Sequence, residues 1–291
     1  YFPPVTRVGA LRPLKLARHL PAFGWAPVVL ADLPPTEPTD PELLAFVPES
    51  TVVIRDYSAD AAPTAAAAGL GPGPSQRWAP RARVVDYLRR KWRSDDRAPL
   101  GHHRLDVGHA LRAARRALAA HPGCAAIVTN ADPFATLIVG ARLARETGLP
   151  LIHDLRDPWA PCRLRRPLRP KLQRRWIDRL DRRAFAPADA VVLNTETARA
   201  DYRAPYSDLD PGRFSVIRNH GDPELIRHGR FEGFDRFTAL FMGNFRRFLT
   251  GEPLIRALAR VETMTQADFQ LVVTGRVPDE VRRLAQDLGV S

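Results

Sequence analysis

The sequence predicts an α/β protein with parallel β-sheets in two domains, and three observations support this. The length of 291 residues corresponds to two domains at about 150 residues each, although one large domain is also possible. Hydrophobic residues make up 45% and charged residues 26%, which suits a sizeable core and excludes global disorder. Short apolar, β-branched runs alternate with amphipathic stretches, as in a parallel sheet covered by helices on both faces.

The first part of the chain carries most of these segments. A loop containing Gly9 precedes a helix with Pro13 in its first turn, a position that proline tolerates. The pattern then predicts strands at residues 28–31, 51–55, 125–129, 151–155, 190–194 and 214–217. It predicts helices at residues 104–120, 133–147, 168–185 and 195–202.

Two interruptions divide the chain. Residues 60–80 combine an alanine run with alternating glycine and proline, which indicates a flexible insertion. The glycine-containing stretch 218–234 indicates a domain boundary, so we expect one domain at 1–218 and a second at 219–291. The second domain has strands at 237–242 and 269–274 and helices at 252–261 and 278–288. Two such βα units are too few for a doubly wound domain, so we expect it to be incomplete.

The net charge of +12 is concentrated in two stretches. Residues 77–97 have a net charge of +5, and the stretch between Arg163 and Arg183 has +8. In the second stretch we expect a surface helix with its arginines in water and an apolar face on the core. That face comprises Leu168, Leu172, Trp176, Ile177, Leu180, Ala184 and Phe185. The alternative is a helix at an anionic membrane surface or a lipid-linked phosphate. Nucleic acid is not expected, because the stretch lacks interleaved aromatic residues that could stack on bases.

Several classes of site are excluded by composition. Two cysteines, Cys124 and Cys162, cannot form a disulfide framework, a four-ligand zinc site or a CxxC pair, and we expect both to be reduced in the cytoplasm. No apolar run reaches the roughly 18–20 residues of a membrane-spanning helix. The GxGxxG fingerprint and the P-loop are both absent from the sequence.

The segment LIHDLRDPW is the strongest candidate for chemistry. It ends a predicted strand, and open α/β sheets bind ligands outside the carboxyl ends of their strands. Asp154, Arg156 and Asp157 can bind sugar hydroxyls through bidentate hydrogen bonds, and Trp159 can stack on a sugar ring. The structural alternative is an Asp–Arg pair that caps the next element.

Three weaker motifs accompany it. Asp132 follows the preceding strand, where it can cap the next helix or take part in catalysis. Gly9 lies before a helix N-terminus, which can bind an anion, or it forms an ordinary connection. Gly243 follows the first strand of the second domain, where it can admit a phosphate that Arg246 and Arg247 would pair with. The alternative for these arginines is simple solvation.

Six segments, taken together and in order, resemble bacterial glycosyltransferases of family 4, which have the GT-B fold. They are FPPVTRVGALRPLKLARHLPAFGW, TNADPFATLIVGARLARETGLPLIHDLRDPW, VVLNTETARADY, VIRNHGDPE, FMGNFRRFLTGEPLIRAL and LVVTGRVPDE. The resemblance is to the subgroup with an opening FPP…GxxRPxKLA motif and a D-[FL]-RDPW motif.

The resemblance implies two Rossmann-like domains facing a cleft, an acceptor-side first domain and a second domain that binds a nucleotide-sugar. It implies transfer with retention of configuration, no metal in the site and no cofactor, since the nucleotide-sugar is a substrate. The acceptor would be a glycan or lipid-linked molecule in surface polysaccharide or glycolipid synthesis. The protein would be cytoplasmic, with peripheral contact at the inner face of the plasma membrane.

The resemblance also assigns roles to the candidate residues. Asp132 and Asp157 are the catalytic candidates, and Asp154, Arg156 and Trp159 would bind the acceptor. The donor phosphates would lie near Gly9, Gly243, Arg246 and Arg247, and Asn219 and Asp222 would be interdomain residues. Asn244 and Thr250 stand where many members have arginine and lysine, and His220 displaces a glycine.

The family's paired-glutamate motif is not found in these residues, so we expect residues 1–291 alone to be inactive. Two alternatives to a hexosyltransferase-like enzyme stay open at this point. One is a sugar-nucleotide epimerase or other GT-B relative, and the other is a non-catalytic protein that binds polyanions.

Overall fold

The computed structural model describes residues 1–32, 38–55, 106–131, 133–225, 232–245, 250–265 and 269–290. The chain divides into two compact units, Tyr1–Ile226 and Arg227–Ser291. This division lies later in the chain than the boundary predicted after residue 218, because residues 219–224 bond to the first helix of the first unit, as described below. The predicted insertion at 60–80 and the first basic stretch lie outside the described residues.

The described strands of the first unit form two parallel sheets. Strands β1 (Val28–Leu30) and β2 (Val52–Ile54) pair with each other. The larger sheet has the order β3-β4-β5-β6, with every pair parallel, as the apolar strand pattern predicted. Its strands are β3 (Ile127–Ala131), β4 (Leu151–Leu155), β5 (Ala190–Leu193) and β6 (Phe214–Val216).

Helices connect these strands and bury their apolar faces on the sheet. They are α1 (Val8–His19), α2 (Asp106–Ala120), α3 (Ala135–Thr147), α4 (Lys171–Phe185) and α5 (Glu196–Arg203). The main core joins β4 and β5 to α3, α4 and α5 and includes the fully buried Leu151, Leu155, Leu193 and Phe185. Burial of such side chains contributes about 1.5–3 kcal/mol each, so this core stabilises the sheet that carries the candidate residues.

Helix α1 begins earlier than predicted. We expected Gly9 in a loop, but the helix starts at Val8, so Gly9 lies in its first turn. Pro13 is inside the helix and has no amide proton to donate to the Gly9 carbonyl, four residues earlier. The helix nevertheless persists because Ala10, Leu14 and Ala17 are buried along one face.

Helix α4 corrects a second prediction. The seven apolar residues assigned to one core face are divided between two sides of the helix. Ile177, Ala184 and Phe185 are buried, as predicted. Leu172 and Trp176 are exposed instead, as is Leu168 just before the helix. The buried side includes Asp181, a charged residue at a core position.

The second unit repeats the βα pattern. Parallel strands β7 (Phe237–Phe241) and β8 (Phe269–Val273) are each followed by a helix, α6 (Glu252–Thr265) and α7 (Asp279–Asp287). The core of this unit comprises Phe245, Ile255, Val281 and Val290. The predicted strands and helices of this region are therefore found close to their predicted positions.

Candidate functional site

Polar side chains lie at or just beyond the carboxyl ends of all four strands in the larger sheet. Asn130 lies near the end of β3 and Asp154 near the end of β4, while Asn194 follows β5 and Asn219 follows β6. Because the strands are parallel, these residues lie along one edge of the sheet. This edge is where open α/β sheets bind their ligands.

Asp154 is buried on this edge, with 3% of its surface exposed. Arg12 of α1 donates from Nη2 to Oδ1 at 2.6 Å and from Nε to Oδ2 at 2.7 Å. Asn130 Nδ2 donates to Oδ2 at 2.7 Å. Such charge-assisted, bidentate bonds offset the cost of removing a carboxylate from water. Both oxygens are therefore engaged, and Asp154 acts as an anchor for α1 in this structure.

The same arginine reaches the segment after β6. Arg12 Nη1 donates to Asn219 Oδ1 at 2.9 Å, and Nη2 donates to the Ile217 carbonyl at 3.0 Å. The backbone amide of Asn219 donates to Asn194 Oδ1 at 2.7 Å. One guanidinium therefore joins α1, β4 and the chain that leaves β6.

Two further basic side chains of α1 bind the segment that follows β6. Lys15 donates to the His220 carbonyl, and Arg18 Nη1 pairs with Asp222 Oδ2 at 2.8 Å and Nη2 with the Glu224 carboxylate. The spacing of Arg12, Lys15 and Arg18 places all three on one helical face. We call these three side chains with residues 217–224 the α1 clasp. Asn219 and Asp222, predicted as interdomain residues, are thus held within the first unit.

Arg156 and Asp157 lie beyond the end of β4 and are more accessible. Arg156 donates to Asp157 Oδ2 from Nη2 at 3.1 Å and from Nε at 3.3 Å. The Asp157 side chain is 48% exposed. A carboxylate that is oriented by an arginine and open to solvent can accept hydrogen bonds, or a proton, from a hydroxyl group.

A buried network fixes the loop that carries this pair. The Trp159 amide donates to the Tyr202 hydroxyl at 2.8 Å, and Arg169 Nη1 donates to the Trp159 carbonyl at 3.0 Å. The hydroxyls of Tyr202 and Tyr206 donate to Asp181 of α4. Burial raises the pKa of Asp181 to about 7, although the tyrosine hydrogen bonds oppose that rise.

Trp159, predicted to stack on a sugar, is part of this core. It is 1% exposed and stacks on Phe134 with the ring centroids 5.3 Å apart. Its ring therefore has no face open to a sugar in this structure. Its contribution to the site is to hold the loop of Arg156 and Asp157 in place.

His153 belongs to the core as well. Its Nδ1 is 2.7 Å from the Thr129 hydroxyl and its Nε2 is 3.0 Å from the Ala184 carbonyl. Burial lowers its pKa to about 4, so the ring is neutral at physiological pH. His153 ties β3, β4 and α4 together and does not contribute a titrating group to the edge.

In the second unit, the loops after β7 and β8 bind each other. The Arg276 amide donates to Asn244 Oδ1 at 2.7 Å. A side chain on Gly275 would place its Cβ 1.9 Å from the Gly243 carbonyl oxygen, so this approach requires glycine. Gly243 itself has φ of +147°, which also favours glycine. Asn244 therefore bridges the two loops.

Three predicted site residues, Asp132, Arg246 and Arg247, lie outside the described residues. Two residues that build the edge, Arg12 and Asn194, were not predicted from the sequence. Arg12 stands in the opening motif, and the repeat of basic residues at helical spacing in α1 was a signal for a shared partner. Asn194 ends a predicted strand next to other polar strand ends.

A comparison with models of protein families shows the family of the chain. A family model described as Glycosyltransferase Family 4 matches residues 13–225, most of the chain. The chain belongs to Glycosyltransferase Family 4. Its parallel α/β architecture agrees with the GT-B class of this family, as predicted. A search of curated proteins found no match for the chain.

The matched range of this family 4 chain includes β4, the loop of Arg156 and Asp157 and residues 217–224 of the α1 clasp. Among the described residues, no group of three or more His, Cys, Asp or Glu side chains could hold a metal ion. None of the helices in the described ranges is long and apolar enough to cross a membrane.

Proposed function

We propose that this protein transfers a sugar from a nucleotide-sugar donor to a hydroxyl group of a glycan or lipid-linked acceptor. Family membership supports a sugar-transferring enzyme with a donor and an acceptor. The observation that carries the proposal is the accessible Asp157 carboxylate beside Arg156, at the ligand-binding edge of the sheet and on a loop fixed by buried contacts. Retention of configuration and independence from metal are the expectations that the resemblance adds.

In the proposed reaction, the bond between the anomeric carbon and the donor phosphate breaks, and a bond to the acceptor oxygen forms. The acceptor hydroxyl must lose its proton. Asp157 is our candidate to receive it, because its carboxylate is accessible and Arg156 holds one of its oxygens. Arg156 contributes by fixing the direction in which the carboxylate points. Asp132 remains a second catalytic candidate.

For the donor, we propose that the phosphates approach Gly243. Gly243 has no side chain and a positive φ, which allows its backbone to approach a ligand closely. Gly9 in the first turn of α1, together with Arg246 and Arg247, stays a candidate for the same phosphates. We also propose a cytoplasmic enzyme of surface polysaccharide or glycolipid synthesis.

The test is a transfer assay with the full-length natural protein. A panel of nucleotide-sugars is incubated with glycan and lipid-linked acceptors, and both nucleotide release and labelled product are measured. We expect nucleotide release that depends on acceptor and yields a glycosylated product. Conversion of one nucleotide-sugar into another without nucleotide release would instead indicate an epimerase. Tight, salt-sensitive binding of nucleic acid with no affinity for any nucleotide-sugar would indicate a polyanion-binding protein.

A further inference from the structure

Two backbone hydrogen bonds flank Asp157. On one side, the Arg156 amide donates to the Ala131 carbonyl at the end of β3, at 3.4 Å. On the other side, the Trp159 amide donates to the Tyr202 hydroxyl at 2.8 Å. Asp157 and one proline lie between these two bonds, and a proline fixes its own φ and restricts the residue before it. The direction of the Asp157 side chain therefore depends on where the two flanking amides are held.

The acceptor of the second bond is a side chain of α5. Tyr202 is fully buried, and its ring centroid lies 5.0 Å from that of Phe185. Burial and the neighbouring Asp181 carboxylate raise the pKa of Tyr202, so its hydroxyl keeps its proton. A protonated hydroxyl can donate to Asp181 Oδ1, at 3.5 Å, while it accepts from the Trp159 amide. Tyr202 therefore connects the loop of Asp157 to the core through one oxygen atom.

Tyr206 shares the surroundings of Tyr202 but not its contact with the loop. It is almost fully buried, its ring centroid lies 5.5 Å from that of Phe185, and its hydroxyl donates to Asp181 Oδ2. In the described part of the chain, no hydrogen bond joins Tyr206 to residues 156–160. A role confined to binding Asp181 would make the two hydroxyls matter alike, whereas a role in holding the loop belongs to Tyr202.

We propose that Tyr202 is a positioning residue of the transfer site, which holds the Trp159 amide and thereby fixes the Asp157 carboxylate beside the acceptor hydroxyl. The proposal rests on the proposed role of Asp157 as the group that receives the acceptor proton. A general base must lie within hydrogen-bond reach of the proton that it takes, and a misplacement of about 1 Å can lower the rate about 100-fold. Because Tyr202 has no exposed surface, it acts through the loop and does not touch the substrate.

The first test needs no substrate. Hydrogen exchange of the Trp159 amide is measured in the full-length natural protein, in Tyr202→Phe and in Tyr206→Phe. The first variant removes the acceptor of this amide, so we expect its exchange to be about tenfold faster. In Tyr206→Phe we expect a rate within about twofold of the wild type. An unchanged rate in Tyr202→Phe, or equal increases in the two variants, would overturn the proposal.

The second test separates positioning from stability. Transfer kinetics are measured well below the melting temperature of every variant. We expect Tyr202→Phe to lower kcat about tenfold and to leave KM for donor and acceptor within about twofold, because a step of the reaction is impaired and binding is not. Tyr206→Phe is the matched control, for which kcat should stay within about twofold of the wild type. An equal fall in kcat for both variants would show a merely structural role and would contradict the proposal.

The third test asks whether Tyr202 acts through Asp157. Tyr202→Phe is combined with Asp157→Asn, and residues that act as a unit give effects that do not add. We expect kcat of the double variant to be within about twofold of that of Asp157→Asn alone. A further tenfold fall would show that Tyr202 acts independently of Asp157 and would overturn the proposal. Failure of the proposed function would appear as wild-type turnover of Asp157→Asn. Failure of the Tyr202 contact would appear as unchanged exchange of the Trp159 amide, so the two are distinguishable.

Discussion

Asp154 and Asp157 lie three residues apart in one motif, yet they are in opposite environments. Asp154 is inside β4, is buried, and has both oxygens bound by Arg12 and Asn130. Asp157 lies beyond the strand, is half-exposed, and has Arg156 at one of its oxygens. A pair of carboxylates that looks equivalent in sequence is thus divided into an anchor for the fold and a group that is free to meet a substrate.

The difference arises from where the strand ends. Within β4 the carboxylate of Asp154 is bound by Arg12 of α1 and by Asn130, and these bonds offset the cost of burying its charge. After the strand, the chain turns and Trp159 returns to the core, which leaves Arg156 and Asp157 at the surface. The following experiments test whether the two carboxylates are as different as their surroundings indicate.

The largest effect is expected from Asp154→Ala. The substitution leaves the largely buried guanidinium of Arg12 without its carboxylate, and breaking a buried pair costs about 3–5 kcal/mol of unfolding free energy. Chemical denaturation measures the loss. Asp157→Ala is the matched control, for which a surface substitution should change the unfolding free energy by less than about 0.5 kcal/mol. Similar losses for both variants would remove the distinction between the two residues.

A pH dependence is expected from a third carboxylate, that of Asp181, which is buried and forms no salt bridge with any residue in the described ranges. Its pKa is about 7 in the folded protein and near 3.8 when unfolded, so the folded state retains a proton that the unfolded chain has lost. Its contribution to the unfolding free energy therefore falls as pH rises from about 4 to about 7, and is constant above that.

The variant Asp181→Asn has no titrating carboxylate at this position, so this fall in the unfolding free energy should be absent. The unfolding free energy of the variant minus that of the wild type should rise between pH 4 and pH 7. His153 acts in the opposite sense, because its lowered pKa of about 4 makes stability increase with pH up to about 6.5. His153 is present in both proteins, so its effect cancels when their unfolding free energies are subtracted. A difference that does not change with pH would show that Asp181 is ionised in the folded protein throughout.

The smallest effect is expected from Asn219→Ala in the α1 clasp. The side chain accepts one hydrogen bond from Arg12, and such a bond to a charged group contributes about 1.5–3 kcal/mol at most. Because Arg12 keeps its bonds to Asp154, we expect the lower end of that range. Denaturation of the variant beside Asp154→Ala tests the order of the two effects. A larger loss for Asn219→Ala would make the clasp, rather than Asp154, the main anchor of Arg12.

Features that depend on the local sequence could be predicted, whereas contacts between residues far apart in the chain could not. The alternation of apolar strands with helices predicted the parallel sheet. The position of LIHDLRDPW at the end of a strand predicted the edge that carries Asp157. The bond between Arg12 and Asp154 joins residues far apart in the chain, and a single sequence does not identify Asp154 as the partner of Arg12. Trp159 was predicted to bind a ligand because the sequence does not distinguish a loop that stays at the surface from one whose side chains return to the core.

Helix α4 shows a different reason for failure. Leu172 and Trp176 share the helical spacing of core residues, but so do Ile177, Asp181 and Ala184 on the other side. Hydrophobicity alone favours a single apolar face. The structure instead buries the face that contains Asp181, because Tyr202 and Tyr206 satisfy its carboxylate.

The most direct test of the central claim is the turnover rate of Asp157→Asn in the full-length natural protein, once its donor is known. The account predicts that kcat falls by about 10²–10⁴-fold, the usual contribution of a positioned acid or base. It also predicts that the unfolding free energy stays within about 0.5 kcal/mol of the wild type. A variant that is folded and turns over at the wild-type rate would contradict the assignment of Asp157 as the reactive carboxylate.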